Sequence, residues 1–351
     1  MNDERPDVSI LITTYNRAES LRRTLTDIAA LDRAGLEVEV IVADNNSTDQ
    51  TRQVADAFAR HMRLRYVFDP RPGQNFARNR ALDQVPLGRI VAITDDDITP
   101  RRDWVRQIAA ACDRWPGATV FGGRIHPVWP SPRRPSWTDF PDIQTFCFGV
   151  HDRGETEGLY VSGVTPFGGN CWFRSDIFAE GWRFSTGFGP RPKNRIMGGE
   201  TTFLLRLSRA GHPIVYCPRA IVGHRLQPEL LCERMVRRRA FRQGRMIAHT
   251  RGLPAPDLLA RSPLLWRLRR YASLGWALLG YGASFLSLCP NRRIERAVQT
   301  LWDIGLDYES LRTVCGAVPE LCSPSGIHRP LQPQPREGNL SAADQRQGGL
   351  R

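Results

Sequence analysis

The eight cysteines of this 351-residue chain include no Cys-x-x-Cys pair. Their scattered spacing therefore indicates neither a zinc site nor a thioredoxin-like motif. We interpret them as buried free thiols, which are typical of a reducing cytoplasm. The N-terminal residues also lack an apolar segment behind a basic stretch, so no secretory signal is predicted. These two absences together predict a cytoplasmic protein.

Lysine is nearly absent from the sequence, since Lys193 is the only one. The net charge of +13 is therefore carried by arginine, and it is unevenly spread. Residues 225–296 contain fifteen arginines and four acidic residues. Such a segment fits an anionic lipid, a nucleic acid or a phosphorylated substrate, but a solvated arginine-rich surface explains it equally well. No recognition motif accompanies the arginines, so a nucleic-acid partner is not predicted.

Short β-branched runs alternate with helical patterns in the first part of the chain. The strand-like runs are 8–12, 38–42, 64–68 and 89–93. A first helix is predicted after Asn16, where Glu19 completes a capping-box pattern. Two further helices are predicted at 51–60 and 75–83. This alternation predicts an α/β fold with a mostly parallel, doubly wound sheet.

The second part of the chain departs from this pattern. Residues 127–165 are rich in proline, tryptophan and arginine and are predicted to form a long loop or insert. Helical patterns follow at 198–210 and 234–250. After Cys322 the sequence is rich in proline, glutamine, glycine and serine, which predicts disorder.

Polar clusters follow three of the predicted strands. They are Thr13-Thr14-Tyr15, Asp44-Asn45-Asn46 and Asp95-Asp96-Asp97. In open α/β sheets, ligands bind at the carboxyl ends of the strands. Because all three clusters fall there, they predict one ligand-binding edge.

The acidic run is the strongest of these clusters. Three adjacent carboxylates repel one another, and a hard divalent cation with oxygen ligands offsets that repulsion. Asp95 and Asp97 can face the same side of an extended segment, so they can share a cation. The alternative is an acidic turn in which Asp96 or Asp97 caps a helix starting at Thr99-Pro100. The position after an apolar strand favours the metal site.

The other two clusters are ambiguous by themselves. Asp44 can accept hydrogen bonds from a nucleobase or a ribose, but a turn with local hydrogen bonds explains it better when it is taken alone. Thr13 and Tyr15 can contact a base, and a capped strand-to-helix turn explains them equally well.

Several segments, in order, resemble the family 2 glycosyltransferases, which have the GT-A fold. The matching segments are SILITTYNR, VIVADNNSTD, GQNFARNRAL and AITDDD. Gly168-Gly169-Asn170 resembles the family's GGN segment near the acceptor. Residues 198–207 resemble its G-E-D-T-E-F-L-L-R-L helix. The resemblance covers about residues 7–245 and is of the bacterial polysaccharide type.

The resemblance implies a role for each matching residue. The residues matched to the nucleotide pocket are Thr13, Tyr15, Asp44, Arg78 and Asp95. Asp97, with Asp95, would ligate Mn²⁺ or Mg²⁺ and complete a D-x-D motif. Gly169 and Asn170 would lie on the acceptor side. The cation would neutralise the charge that develops on the nucleoside diphosphate leaving group.

The sequence departs from the family at the expected base. The family has Glu-Asp in the acceptor-side helix, with the aspartate as base, whereas Gly199 and Glu200 occupy these positions here. Glu200 is therefore the predicted base, since a glutamate can also take the proton of an acceptor hydroxyl. The alternative is that its charge stabilises the helix N-terminus. His224 matches a histidine near the metal or the diphosphate in some relatives, although a lone histidine is more often structural.

The predicted protein is a GT-A enzyme, Rossmann-like in its sheet, with a C-terminal helical region. The catalytic domain would cover 1–225, divided into a nucleotide-binding half (7–100) and an acceptor half (101–225). A basic and apolar helical region (226–322) and a disordered tail (323–351) would follow. The resemblance implies an inverting, metal-dependent transfer from a nucleotide-sugar, with UDP-sugars favoured, to a saccharide or lipid-linked acceptor. The alternatives are a nucleotidyltransferase, which the missing glycine-rich loop after strand one disfavours, and a non-catalytic nucleotide-binding protein.

One C-terminal segment suggests a membrane contact. Residues 271–288 carry no charge, and their length reaches the lower limit for a spanning helix, but glycine, serine and alanine dilute their hydrophobicity. Basic and aromatic residues flank the segment, which predicts peripheral association with the anionic inner face of the cell membrane. A buried helical hairpin is the alternative. Nearby, Arg237, Arg238, Arg239 and Arg242 would either face phosphates or form a solvated helix face.

Overall fold

The structure is a computed structural model that describes residues 5–187, 197–250 and 252–315. These residues fall within one compact unit, Met1–Ala317. The predicted disordered tail (323–351) lies outside the described residues, as does the end of the predicted C-terminal region. The domain boundaries proposed from the sequence stay predictions.

The first half of the sheet is parallel, as predicted. Its strands are β1 (Val8–Thr14), β2 (Val38–Asp44), β3 (Leu64–Phe68) and β4 (Ile90–Asp95). The helices between them are α1 (Ala18–Ala29), α2 (Thr51–Phe58) and α3 (Gln74–Gln84). The strands lie in the order β3-β2-β1-β4. In this register Thr14 pairs with Asp44 and Thr13 pairs with Asp95, so the three polar clusters share one edge.

The second half of the sheet is mixed. Its strands are β5 (Ile98–Pro100), β6 (Val120–Val128), β7 (Gly158–Leu159), β8 (Cys171–Arg174) and β9 (Ile214–Arg225). The order continues as β4-β8-β6-β9-β5, with β7 also on β9. Strand β8 is antiparallel to both neighbours, whereas β6 and β9 are parallel. This architecture confirms the predicted α/β GT-A fold with a largely parallel sheet.

Helices cover both faces of the sheet. The helices of the second half are α4 (Trp104–Arg114), α5 (Pro141–Phe148), α6 (Asp176–Ala179) and α7 (Gly199–Arg209). Ile10 and Ile12 of β1 belong to one core cluster, and Leu11 between them belongs to another. Since successive side chains of a strand point to opposite faces, β1 is apolar throughout because it is covered on both sides.

Four helices follow the sheet, which confirms the predicted helical C-terminal region. They are α8 (Glu233–Thr250), α9 (Pro256–Arg261), α10 (Pro263–Ser284) and α11 (Pro290–Cys315). Helix α11 packs against α8 and α10. A Cβ atom at Gly244 would lie 1.9 Å from the Trp302 carbonyl oxygen, and one at Gly305 would lie 2.1 Å from that of Phe241. The two helices therefore cross backbone to backbone at two glycines. Within the described residues, no helix has the length and apolar character needed to cross a bilayer.

One local prediction was wrong, one alternative is ruled out, and the predicted loop or insert contains regular structure. The capping box at Asn16 does not form, because Asn16 has a φ of 50° and its Oδ1 accepts from the Thr48 amide at 2.7 Å. The N-terminus of α1 is capped from another loop, with the Ala18 amide donating to Asp49 at 3.0 Å. Thr99-Pro100 lies in β5 rather than at a helix start. The segment 127–165 is not only a loop, since it contains α5 with Phe148 in the core.

Candidate active site

The acidic run is tied to the start of α1. Arg17 Nη1 lies 2.8 Å from Asp96 Oδ1 and 2.9 Å from Asp97 Oδ2. Thr14 Oγ1 donates to Asp96 Oδ2 at 2.7 Å. The hydroxyls of Ser20 and Thr24 both donate to the Asp96 carbonyl at 2.8 Å. Asp96 therefore anchors the run, Asp95 lines the adjacent cavity, and Asp97 lies buried against Arg17.

Burial and neighbouring charges give the three carboxyl groups different pKa values. Burial raises the pKa of Asp96 to about 7. Burial, together with the neighbouring Asp97 and Glu200, raises the pKa of Asp95 to about 6. Burial also acts to raise the pKa of Asp97, but His224 and Arg17 outweigh it and lower that pKa to about 2. Of the three carboxyl groups, Asp97 therefore keeps its charge to the lowest pH.

His224 of β9 lies beside Asp97. Its Nδ1 is 2.7 Å from the Phe148 carbonyl oxygen, which can only accept, so Nδ1 carries a proton. Its Nε2 then has a lone pair in the neutral ring and lies 3.5 Å from Asp97 Oδ2. A backbone carbonyl that holds one nitrogen of a histidine in this way is the usual support of a metal-ligating imidazole. Burial acts to lower the pKa of His224, and Asp97 outweighs burial and raises it.

These donors fit a divalent cation that is shared with a substrate. Asp97 Oδ1 is buried and has no hydrogen-bond partner among the described residues. In ranges 5–187, 197–250 and 252–315, no three His, Cys, Asp or Glu side chains form a metal site by themselves. A cation bound to phosphates typically takes only one or two carboxylates from the protein, and the phosphates supply other ligands. A cation at Asp97 and His224, with Asp95 nearby, would therefore need the oxygens of a bound diphosphate to complete its coordination.

Glu200 lies in the first turn of α7 and is held by a buried arginine. Arg78 Nη1 donates to Glu200 Oε1 at 2.7 Å and to Asn75 Oδ1 at 3.0 Å. Arg78 is fully buried, and its guanidinium carbon lies 4.7 Å from the centre of the Phe184 ring. Burial acts to raise the pKa of Glu200, but Arg78 and the residue's own amide outweigh it and lower it. The carboxylate is therefore ionised at neutral pH.

The two adjacent glycines leave room between the carboxylates. A Cβ at Gly168 would lie 2.6 Å from Glu200 Cγ, and one at Gly169 would lie 3.4 Å from Asp95 Oδ2. Thr94 Oγ1 donates to the Gly169 carbonyl at 2.7 Å, which fixes the glycines over β4. Any side chain at Gly168 would displace Glu200.

Two cavities meet at Glu200 and His224. The first, of about 260 Å³, is lined also by Asp95, Gly169 and Asn75. The second, of about 280 Å³, extends under the C-terminal helices. Its additional lining includes Phe146, Arg239, Gln243, Met246 and Trp302. A carboxylate with reach into both cavities can act on a group that enters from either one.

Comparison with known proteins identifies the family. The family model described as glycosyl transferase family 2 matches residues 9–182. Residues 9–182 form a glycosyl transferase family 2 segment. The protein is therefore a glycosyltransferase, and the nucleotidyltransferase and non-catalytic alternatives are set aside.

Two curated relatives extend the match beyond that segment. The glucosyl-dolichyl phosphate glucuronosyltransferase of Haloferax volcanii is 28% identical over 62% of this chain and 69% of its own length. The succinoglycan biosynthesis protein ExoM of Rhizobium meliloti is 28% identical over 85% of this chain and 92% of its own. The similarity to ExoM thus reaches into the C-terminal helices.

Two solved structures share the fold. The mannosyltransferase PcManGT of Pyrobaculum calidifontis, in complex with GDP-Man and Mn²⁺, aligns with a TM-score of 0.55. It is 21% identical, and the alignment covers 88% of both chains. Residues 1–349 of S. aureus TarS, in complex with UDP-GlcNAc, align with a TM-score of 0.50 at 15% identity. That alignment covers 88% of this chain and 92% of the TarS chain.

Three predicted base-pocket residues of the glycosyltransferase, Thr13, Tyr15 and Asp44, lie at or just after the ends of β1 and β2 and do not line the first cavity. Asp44 is buried, and its two oxygens accept from the Ser47 amide at 2.8 Å and from the Tyr66 hydroxyl at 2.5 Å. Thr13 is buried with its hydroxyl unpaired within the part of the chain that is described, whereas Tyr15 is 54% exposed. Asp44 thus has the local turn bonds of the alternative interpretation, and contact with a base stays a prediction.

One predicted position, Asn170, differs from its expected placement. Asn170 is fully buried, and its amide donates to the carbonyls of Arg124 (2.9 Å) and Ala220 (2.8 Å). Its Oδ1 accepts from Trp104 Nε1 at 3.0 Å. Asn170 therefore ties three elements of the glycosyltransferase together rather than facing an acceptor. Arg78, which was matched to the nucleotide pocket, contacts Glu200, and its role in that pocket stays a prediction.

Three contributors to the site were missed in the sequence. Arg17 could have been found, because it ends the TTYNR segment at the strand edge that also carries the acidic run. Asn75, which orients Arg78, also stood within a recognised segment, GQNFARNRAL. Trp302 gave no signal, because it reaches the second cavity only through the packing of α11 on α8.

Proposed function

We propose that this glycosyltransferase moves a sugar from a nucleotide-sugar, with UDP-sugars favoured, to an acceptor hydroxyl with inversion at the anomeric carbon. The observation that carries the proposal is the position of Glu200 on the shared wall of two cavities. The cavity with Asp95 and His224 would take the donor, and the other would take the acceptor. The proposed setting is synthesis of a cell-surface polysaccharide or glycolipid at the cytoplasmic face of the cell membrane.

The donor side would hold Mn²⁺ or Mg²⁺ through Asp97, Asp95 and His224. When bound, the cation supplies charge neutralisation for the departing diphosphate. An imidazole ligand suits Mn²⁺ better than Mg²⁺. The buried Asp97 Oδ1, unpaired within the described ranges, supports this assignment. Thr13, Tyr15 and Asp44 would contact the nucleotide base at the adjacent strand ends.

Glu200 would act as the general base. Its carboxylate would take the proton of the acceptor hydroxyl as that oxygen bonds to the anomeric carbon and the bond from that carbon to the diphosphate oxygen breaks. Arg78 would orient the carboxylate through the 2.7 Å contact and would hold it charged before the reaction. Gly168 and Gly169 would leave space for the acceptor hydroxyl between the two carboxylates.

The acceptor, a saccharide or a lipid-linked saccharide, would enter through the second cavity. Phe146 and Trp302 form an edge-to-face pair there, with ring centres 4.4 Å apart, and offer an apolar wall to a sugar ring. Arg239 lines the same cavity and would contact an acceptor phosphate. Arg237 instead pairs with Glu233 at 3.0 Å and lies over the Phe285 ring.

Substitution of Glu200 by glutamine tests the base. A panel of UDP-, GDP- and dTDP-sugars is first screened by thermal shift with and without Mn²⁺, because a ligand that binds only the folded state raises the melting temperature. With the donor that binds, Glu200→Gln should lower turnover by about a thousandfold, the range of a lost general base. The nucleotide-dependent shift should persist. The control is Glu19→Gln on the exposed side of α1, which should match the wild type. A Glu200→Gln variant with wild-type turnover, or a wild-type protein whose melt no nucleotide shifts, would refute the proposal.

A further inference from the structure

Helix α10 presents an exposed apolar face to solvent. At about 100° per residue, the exposed side chains fall within about 160° of the helix circumference. We define this outer face of α10 by Leu264, Leu265, Leu268, Tyr271, Trp276, Leu278 and Leu279. Trp276 is 75% exposed and Leu279 is 67% exposed. Contiguous exposed apolar surface of this kind marks an interaction site.

Contacts on the opposite side of α10 determine which way the outer face points. Trp266 is fully buried, and its indole nitrogen donates to the Pro254 carbonyl at 2.6 Å. Arg270 pairs with Asp307 of α11 at 2.9 Å. A Cβ at Gly280 would lie 3.1 Å from Thr300 of α11. The inner side of α10 therefore packs against α11, and this packing orients the outer face toward solvent.

Arginines border the outer face. Arg267 and Arg269 precede and follow Leu268, so each lies about 100° around the helix from the centre of the face. Both are exposed. Between Leu258 and Ile294 the sequence contains six arginines and no acidic residue. Long arginine side chains on the flanks of an apolar face can reach a layer of negative charge while the face itself is buried.

Charge complementarity chooses between a membrane and a second copy of the chain. Two copies that meet through this face would bring their arginines together, with no acidic residue nearby in the segment to pair with them. A bilayer with anionic headgroups supplies both an apolar layer and negative charge. We propose that the outer face of α10 lies in the headgroup region of an anionic phospholipid bilayer. This deepens, and rests on, the proposed function at the membrane face.

The surface also relates to the acceptor cavity. Helix α10 contacts α11 at Thr300, and Trp302, two residues later, lines the second cavity. A bilayer bound by the outer face of α10 would therefore be separated from the acceptor cavity by α10 and α11. The acceptor class that this arrangement favours is a saccharide joined to a lipid anchor.

Flotation of the full-length protein with lipid vesicles tests the surface. The probes are phosphatidylglycerol–phosphatidylcholine vesicles and pure phosphatidylcholine vesicles at low salt. The wild type should float with the anionic vesicles, and the double variant Leu268→Glu/Leu279→Glu should lower the bound-to-free ratio by about tenfold or more. Leu159→Glu/Val161→Glu is the matched control, since both residues are 61% exposed and lie outside α10. This control should bind like the wild type.

Further variants separate the contributions. Arg267→Gln/Arg269→Gln should remove most of the preference for anionic vesicles, and circular dichroism should show that each variant is folded. Glu200→Gln should bind vesicles like the wild type, so loss of catalysis and loss of binding are distinguishable. Equal flotation of the Leu268→Glu/Leu279→Glu variant and the wild type would overturn the proposal. Sedimentation showing a dimer that the same variant dissociates would overturn it too, because a second copy would then cover the face.

Discussion

The edge of the sheet concentrates buried carboxylates, whereas helices α8 and α11 concentrate cations around buried Glu309. Burial dominates at the sheet edge, where the pKa values of Asp95 and Asp96 are raised. At Glu309 burial also acts to raise the pKa, but His249, Arg312 and Arg245 outweigh it and lower it. The charge of Glu309 is thus offset by neighbouring side chains, whereas the raised pKa values at the sheet edge indicate carboxylates that an added cation would stabilise. Both oxygens of Glu309 already have cationic partners, whereas the carboxylates of the acidic run outnumber the cations that contact them.

Removal of charge from the sheet edge should affect turnover more than any change in helices α8 and α11. Asp97→Asn takes away the carboxylate that stays ionised beside His224, so the cation would lose a ligand. We expect turnover to fall by about a hundredfold or more, and the thermal stabilisation by Mn²⁺ plus nucleotide to disappear. Turnover and melting temperature are measured with the donor found by screening.

The matched control for this variant is Asp56→Asn. Asp56 pairs with Arg52 on an exposed face of α2 and should be replaceable without effect on either measurement. A Mn²⁺-dependent shift that is unchanged in Asp97→Asn would show that the cation, if one binds, lies elsewhere.

A change in the helical wall should affect the acceptor and spare the donor. Trp302→Leu keeps an apolar side chain but removes the ring that meets Phe146 in the second cavity. We expect the KM for acceptors, measured with a panel of alkyl glycosides, to rise by about tenfold, in the range of one lost aromatic contact. Slow hydrolysis of the donor without acceptor should stay unchanged.

Trp276→Leu is the control for Trp302→Leu, because it makes the same substitution on the exposed face of α10. It should leave transfer to soluble acceptors unaffected. An equal loss of donor hydrolysis and transfer in Trp302→Leu would mean that the helices support the whole site rather than the acceptor side.

The smallest effect on turnover is expected at the Glu309 cluster, where stability should change instead. Glu309→Gln leaves Arg245, His249 and Arg312 facing one another, and should lower the free energy of unfolding at pH 7 by about 2 kcal/mol. The folded-state pKa of Glu309 lies below its ordinary value of about 4.3, so its stabilisation is present above that pH and is lost as the pH falls through the folded-state pKa. Urea unfolding at a series of pH values should show the variant and the wild type converging in acid. A difference that stays constant from pH 7 to pH 3 would contradict this account.

The sequence predicted the sheet edge well because strand ends are local features. Apolar runs marked β1, β2 and β4, and the parallel connections then required Thr13, Asp44 and Asp95 to lie on one edge. Family resemblance added Glu200 and His224, which line the first cavity together with Asp95. The start of α1 was not predictable in this way, since its cap comes from Asp49 in a separate loop.

The acceptor wall was invisible in the sequence because it is assembled from distant segments. Gly149, Phe167, Met246 and Trp302 meet only after α8 and α11 pack against α5 and α7. Asn170 was mispredicted although it lies in a recognised segment. Its amide donates to carbonyl groups of β6 and β9, so its side chain points into the sheet, and these partners are distant in sequence.

The crossing of α8 and α11 at Gly244 and Gly305 has a consequence for engineering. Because the two backbones touch there, the separation of the helices is set by main-chain atoms and is insensitive to exchange of the larger side chains that line the cavity. Gln243, Met246 and Trp302 can then be randomised as a set while the scaffold keeps its dimensions. A library at these three positions is the direct route to altered acceptor choice, with the donor chemistry left intact.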